Sequence, residues 1–438
     1  MKIGFVAMSG VRIRNDTLLE QGLTLPGFVE RSKVIASLPS LALLTLGGLT
    51  PPDMEVCYLE VPELDAVDGL PGEFDVVAIA SYTAQIKDAY KLADRYRDAG
   101  TIVILGGLHV TACPKEACNH ADAIVLGEAE NVWPRVISDL KSATLQPVYD
   151  ARSQSFDLAR APMPAFELLD VDLYNRLTVQ THRGCPLSCE FCASSIRIAP
   201  KFKIKPVEKV VAEIRRIKEI WPNPFIELAD DNTFANKAHA KRLVKAIARE
   251  NVRWFTETDI SVADDEVLLS MLRDSGCAQL LIGLEATDRD VMNGIETKTN
   301  WKAKRIDSYL EAVRRIQSYG ITVNGCFVLG LDGQGRDSFS DVTRFVQESG
   351  LYDVQVTIQT PFPGTPLYDR LRAEDRLISV DAWENYTLFD VNYFPDSMSV
   401  TELEDRFLGL VGELYSEEST QWRRYSFRKQ VRETIATN

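Results

Sequence analysis

The chain has 438 residues, 45% of them hydrophobic, with 49 basic against 63 acidic side chains and a net charge of −14. That length allows two domains with sizeable cores and a small third, and ordinary glycine and proline content argues against long disorder. The acidic balance speaks against a sequence-independent nucleic-acid binder, which needs a basic footprint. Residues 1–8 carry an apolar run too short for a signal peptide, and Arg12 and Arg14 follow at once, so a first strand is expected there. The apolar residues 41–49, interrupted by Gly47 and Gly48, are too few to span a bilayer. Of eight cysteines, Cys57, Cys113, Cys118, Cys277 and Cys326 show no disulfide-framework spacing, so a cytoplasmic protein is expected.

Residues 1–150 alternate short apolar runs with helical patterns, the signature of a doubly wound parallel sheet. Strands are expected at 3–8, 55–61, 75–81, 101–105 and 123–126, and helices at 40–46, 84–97 and 132–141. A ligand of such a sheet binds beyond the carboxyl ends of the strands. Ser9-Gly10, Ser81-Tyr82-Thr83, Gly106-Gly107 and Gly127-Glu128 stand there. Cys113 and Cys118 follow the glycine pair; paired in space, they could bind a thiophilic atom. Residues 151–176, with Pro162 and Pro164, read as a linker.

After a β-prone run at 177–180 come Cys185, Cys189 and Cys192, spaced C-x3-C-x2-C. Thiolates bind soft metals, and four of them usually complete a structural zinc or a closed iron–sulfur site. No fourth cysteine lies nearby; the next is Cys277. The loop therefore suits a 4Fe–4S cluster with one iron left open to an outside ligand, the alternative being a zinc loop missing a ligand. Gly184 and Pro186 suit a chain wrapped closely around the group, and Phe191 can cover it with an apolar ring.

From residue 177 a second βα alternation runs through strands at 177–181, 225–228, 253–256, 279–284, 322–329 and 353–359. Helical apolar spacing separates them, as in Val207, Val210, Val211, Ile214 and Ile217. Polar groups stand at the strand tips: Asp230-Asp231-Asn232, Glu257-Thr258-Asp259, Glu285, Asp332 and Gln359. Residues 360–368 form a turn fixed by glycine and proline. Residues 370–438 are expected to be mostly helical, with Trp383, Tyr386, Phe389, Tyr393 and Phe394 forming either a lid on the second unit or packing on its exterior. The basic, aromatic residues 422–429 read as a solvated helix end, with contact to a membrane or an anionic partner as the other reading.

The cysteine motif, with an aromatic residue before its last cysteine, resembles that of the radical SAM superfamily. There the open iron chelates the amino and carboxylate groups of S-adenosylmethionine, and an electron from the cluster cleaves the sulfonium. The resemblance implies an incomplete (βα)6 TIM-like barrel over residues 177–369, with its site at the carboxyl ends of the strands. It implies Cys185, Cys189 and Cys192 as cluster ligands. It further implies Phe191, Asp230, Asp231, Asn232, Glu285 and Gln359 around S-adenosylmethionine, the Asp230 to Asn232 segment offering backbone carbonyls.

Residues 106–111 and 123–130 resemble the cobalamin-binding domain carried by one large class of this superfamily. That implies a Rossmann-like fold over residues 1–150, with Ser81, Gly106, Gly107, His109, Gly127 and Glu128 around cobalamin. The Asp-x-His-x-x-Gly loop that gives many cobalamin domains their lower cobalt ligand is absent, so cobalamin would be held without a histidine ligand. Residues 370–438 resemble the C-terminal extension of methylases in this class, including those acting on hopanoids.

The resemblance implies a transferase of specialised metabolism acting on a small molecule, with a reductase or flavodoxin-type electron donor. The leading reaction is cobalamin-dependent C-methylation. Transfer of the 3-amino-3-carboxypropyl group to a heteroatom such as arsenic, without cobalamin, and a non-catalytic cobalamin or metal sensor are the alternatives.

Overall fold

The computed structural model describes residues 1–9, 17–18, 38–194 and 201–437; Gly10, Arg12 and Arg14 lie outside the described residues. The first unit consists of β1 (Lys2–Met8), α1 (Leu41–Leu49), β2 (Glu55–Val61), β3 (Val76–Ser81), α2 (Ile86–Asp98), β4 (Ile102–Gly106), α3 (Leu108–Ala112), α4 (Pro114–Ala117), β5 (Ala123–Leu126), α5 (Trp133–Lys141) and β6 (Val148–Asp150). Its strands form one parallel sheet in the order β2-β1-β3-β4-β5-β6. The period of two along β1 divides the core. Ile3, Phe5 and Ala7 pack under α1 and α5, whereas Val6 and Met8 pack with Ile86, Ala89 and Ala93 of α2. Helices thus cover both faces, and the strand order reverses between β1 and β3, where a doubly wound sheet opens its binding crevice. The three-residue edge strand β6 ends just before the expected linker and is not among the expected strands; so short a strand leaves no readable alternation.

The second unit starts at β7 (Leu177–Val179), β8 (His182–Arg183) and β9 (Lys203–Ile204). It continues through α6 (Val207–Ile220), β10 (Phe225–Leu228), α7 (Lys237–Ile247), β11 (Arg253–Thr258), α8 (Glu266–Asp274), β12 (Cys277–Glu285), α9 (Arg289–Met292), α10 (Tyr309–Ser318), β13 (Thr322–Leu329), α11 (Asp337–Ser349) and β14 (Asp353–Ile358). Strands β7, β10, β11, β12, β13 and β14 lie side by side in that order, all parallel, and β7 and β14 are the two free edges. The sheet is an open (βα)6 array. Val323, Val354, Val356 and Ile358 turn outward to the helices. The alternate residues Asn324, Gln355, Thr357 and Gln359 turn to the inner face, which makes that lining polar.

The chain ends in α12 (Pro366–Ala373), α13 (Val400–Leu414) and α14 (Glu417–Thr437). Trp383 and Tyr386 join the core of the first unit, while Phe389 and Tyr393 join that of the second; only Phe394, 51% exposed, stays outside. This segment is a buried bracket between the units rather than a lid or an exterior layer. The basic run at the end is solvated on one side only: Trp422, Tyr425, Arg428 and Lys429 are exposed, while Arg423 and Arg424 turn inward. Arg423 is 1% exposed and donates to Leu414 O and Ser419 Oγ. Arg424 stacks 3.6 Å above the Tyr352 ring and pairs with Asp353 Oδ1 at 2.5 Å. Since Asp353 also accepts from Gln279 at 2.7 Å, α14 closes the amino-terminal floor of the open barrel. No described helix is long and apolar enough to cross a membrane.

Candidate active site

The three motif cysteines lie on the loop that β8 and β9 pinch at its base through an antiparallel pair, His182 with Ile204 and Arg183 with Lys203. Asp230, at the tip of β10, fixes the loop's entry. It accepts from Thr181 N at 2.7 Å, His182 N at 3.0 Å and Thr233 Oγ1 at 3.0 Å. Gly184 then turns at φ +82°, a conformation that costs a side-chain-bearing residue but not glycine. A second anchor is Glu296, which pairs with Cys189 in an isolated bridge and is 2% exposed. Its carboxylate accepts from Ser188 N, Lys298 N, Thr299 N, Thr299 Oγ1 and Trp301 N at 2.6–3.3 Å. Burial alone would raise that carboxyl, yet the bonds from Thr299, Lys298 and Trp301 hold it at about 2. The third anchor is Arg370 of α12, which grips Glu190 at 2.8 Å and Asp332 at 2.6 Å.

Burial pushes the thiols up, Cys185 to about 11 and Cys189 to about 12, so in the bare protein they keep their protons until a metal displaces them. Among the described residues, one set of three His, Cys, Asp or Glu side chains has its ligand atoms within 4.8 Å of one another, and it is not this loop. The three thiols nonetheless stand near one another, since Cys185 and Cys192 both act on Cys189.

At the tip of β12 a bulge between Gly283 and Glu285 turns Glu285 to φ +66° and aims its carboxylate at the ammonium group of Lys302. Both are buried. Burial works against the charge on Lys302, but the Glu285 carboxylate beside it holds its pKa above the ordinary value. The shift of Cys189 also registers the Lys302 charge, so the pair stands beside the cysteine loop. Asn232 is engaged inside the protein, donating to Asp259 at 2.7 Å and accepting from Thr258 at 3.1 Å. With Asp230 equally committed, both side chains shape the tip, and the Asn232 carbonyl accepts from Ala235 N at 3.2 Å. Asp231 and Phe191 flank the loop, Phe191 resting against the apolar residues around Met292. On the inner face, Gln359 Oε1, Gln355 Oε1 and Asn324 Oδ1 are buried with no hydrogen-bond partner. Such orphans are polar groups awaiting a ligand or water. Burial, with Glu227, Asp231, Asp230 and Glu285 nearby, pushes Glu257 up to about 8.

In the first sheet Ser81 ends β3 at the switch point, and its hydroxyl is buried without a partner. Gly107 takes φ +111°, and a Cβ there or on Gly106 would meet no atom nearer than 3.7 Å. Unpartnered hydroxyl and bare backbone together form a cradle open to a large ligand. Gly127 (φ +78°) instead packs on Arg152, 2.9 Å from the place of a Cβ. Glu128 and His109 are not presented to this cradle. Glu128, 2% exposed, accepts from Arg183 at 2.8 Å, from Phe156 N at 3.0 Å and from Lys203. His109, 1% exposed, faces Thr83, Glu116 and Trp383. Cys113 accompanies His109 and Glu116 rather than Cys118, which is exposed.

Glu128 and Glu130 follow β5, and both pair with Arg183, two residues before Cys185. Burial would raise Glu130, but the Arg183 guanidinium at 2.7 Å holds it below the ordinary carboxylate value. On the other side Ala112, at the end of α3, touches Gly364 in the turn after β14. The carboxyl edges of the two sheets therefore face each other across one crevice.

A doubly wound sheet facing an open (βα)6 array that carries a three-thiol loop defines a two-cofactor architecture. The sequence profile of the radical SAM superfamily matches residues 179–346, that of the B12 binding domain residues 54–137, and that of a domain of unknown function residues 365–438. The chain is a radical SAM protein with an N-terminal B12-binding domain. It is 27% identical, over 82% of its length and 79% of the relative's, to bacteriochlorophyllide d C-12(1)-methyltransferase of Chlorobaculum tepidum. It is 26% identical to hopanoid C-2 methylase of Rhodopseudomonas palustris, over 80% of this chain and 68% of that one. Among solved structures, the cobalamin-dependent S-adenosylmethionine radical enzyme OxsB, with aqua-cobalamin and S-adenosylmethionine bound, matches with a TM-score of 0.68 at 14% identity, over 94% of this chain and 67% of that chain. The radical S-adenosylmethionine methyltransferase TsrM from Kitasatospora setae, with cobalamin and a 4Fe–4S cluster bound, gives 0.67 at 14% identity, over 100% and 99%. At that identity the likeness is one of fold.

Proposed function

We propose that this chain is a cobalamin-dependent radical SAM enzyme that methylates carbon in a small molecule. The observation that carries the reading is the meeting of the two carboxyl edges at Arg183, which brings the Ser81–Gly107 cradle and the cysteine loop to one crevice. The methyltransferase names of the relatives support methyl transfer over aminocarboxypropyl transfer and over a sensor. When bound, the cluster supplies the electron that cleaves S-adenosylmethionine and cobalamin supplies a methyl carrier.

In this reading Cys185, Cys189 and Cys192 hold the cluster, and Ser81, Gly106 and Gly107 hold cobalamin against backbone. Glu285 and Lys302 present a fixed pair of charges beside the loop, suited to the zwitterionic end of S-adenosylmethionine. Gln359 and the carbonyls from Asp230 to Asn232 complete that contact, with Asp231 and Phe191 beside them. Glu128 and Gly127 act on the cofactors indirectly, by locking the two edges together. The domains are residues 1–150, 151–176 as linker, 177–369 and 370–438. Reducing surroundings that keep thiols free, and a reductase or flavodoxin-type donor, fit a cytoplasmic enzyme.

S-adenosylmethionine labelled separately in its methyl and in its methionine backbone tests the reaction after anaerobic reconstitution. Methyl label in the product, lost when cobalamin is withheld or in Cys189→Ala, is expected. Backbone label in the product, with release of 5′-methylthioadenosine free of backbone label, would sink the proposal.

A further inference from the structure

The helical turn after the glycine cradle holds a second set of metal-ligand side chains, remote from the motif cysteines. His109 lies on α3, Cys113 at the junction of α3 and α4, and Glu116 on α4, so the spacing H-x3-C-x2-E puts all three on one side. Their ligand atoms lie within 4.8 Å of one another, the only such set among the described residues. His109 Nδ1 faces Thr83 Oγ1 at 3.3 Å. With Nδ1–H donating there, Nε2 is left with a lone pair, and that nitrogen is buried with no hydrogen-bond partner. It stands 3.8 Å from Glu116 Oε1, too far for a hydrogen bond. Two ligand atoms about 2.1 Å from a tetrahedral ion stand about 3.4 Å apart, close to the observed gap.

The surroundings are those of a metal site as well. Trp383 Nε1–H donates to Glu116 Oε2 at 3.1 Å, which leaves Oε1 turned towards His109. The Trp383 ring meets His109 edge-on with centroids 4.9 Å apart and screens it from solvent. Thr83 and Trp383 thus orient two of the ligands from behind, as outer partners of metal ligands do.

We propose that His109, Cys113 and Glu116 bind one divalent ion of zinc type, leaving a fourth position for water or a further donor. One nitrogen, one sulfur and one oxygen suit zinc better than magnesium or calcium, which prefer oxygen alone. The ion fixes Glu116, whose other oxygen accepts from Trp383 of the C-terminal extension, and so stiffens the turn that follows Gly106 and Gly107 where the two meet. His109 belongs to this site and not to the cobalamin cradle.

Zinc and iron are measured together on the full-length protein with its cluster reconstituted, after dialysis against zinc. One zinc per chain is expected, with X-ray absorption at the zinc edge giving one sulfur near about 2.3 Å and lighter ligands near about 2.0–2.2 Å. Cys113→Ser and Glu116→Gln should lose the zinc while keeping the iron, which also shows that they fold. Trp383→Phe, which removes the outer donor while keeping an aromatic ring, should weaken zinc binding by about 10–100-fold. An all-sulfur shell, or zinc kept in Cys113→Ser and lost in Cys189→Ala, would place the ion on the cysteine loop and overturn the proposal. Failure of the wild type to retain zinc at micromolar concentration would overturn it too.

Discussion

Replacing Glu296 by alanine removes the acceptor that ties the cysteine loop to the segment after α9. Five donors lose their partner: the amides of Ser188, Lys298, Thr299 and Trp301, and the Thr299 hydroxyl. Lys298 and Thr299 are exposed, so water can reach their amides. Ser188 and Trp301 are half-buried, and two donors left dry cost about 1–3 kcal/mol each, or about 4 kcal/mol together. At 1.4 kcal/mol per factor of ten, opening of the loop should become about a thousandfold more frequent. Reconstituted protein challenged with an iron chelator provides the assay, the cluster's visible absorption being followed in time. Glu296→Ala should lose its cluster faster by up to about that factor. Glu296→Gln, which keeps one acceptor oxygen but turns an NH2 group towards donors, should fall between. Chelation kinetics identical to those of the wild type would refute the anchoring role.

Glu285→Ala should weaken S-adenosylmethionine binding by about 1–3 kcal/mol, the scale of a lost charged hydrogen bond, and leave Lys302 buried and unpaired; unchanged affinity by calorimetry on the cluster-loaded form counts against a binding role. Burial opposes the charge on Asp332, but Arg376 and Arg370 hold its pKa below the ordinary value. A depressed carboxyl stabilises above its unfolded pKa and loses that contribution as pH falls through the folded one. The stability deficit of Asp332→Asn in urea unfolding should therefore be constant from neutral pH down to the ordinary carboxylate range and close below it; a deficit that grows on acidification contradicts the assignment. Glu257 is the opposite case. Held up at about 8 by burial and by Glu227, Asp231, Asp230 and Glu285, it makes the cofactor-free protein less stable as pH rises from its unfolded value towards about 8. Glu257→Gln should flatten that slope, and an unchanged slope would assign it to other groups.

The alternation of short apolar runs and helical patterns was enough to locate eleven of the twelve described parallel strands closely, all but β6, because the period of two and the 3.6-residue period are local properties of the backbone. The C-x3-C-x2-C spacing was legible for the same reason: three ligands on one loop need no distant partner. The groups that hold the loop were not legible. Glu296 lies 108 residues from Ser188, and Arg370 lies 180 from Glu190. Lys302 reaches Glu285 from a stretch that carries no periodic pattern. Glu128 looked like a ligand contact because it follows a glycine at a strand tip, yet folding brings Arg183 and Lys203 to it and commits it to the seam between the units. His109 and Cys113 were visible one by one, but their association with Glu116, and the exclusion of Cys118, depend on where α3 and α4 meet Trp383. Hydrophobic periodicity records which face of an element is buried; which charged or ligating group meets which is decided only when the elements dock, since an uncompensated buried charge is too costly to remain and its partner can come from anywhere in the chain.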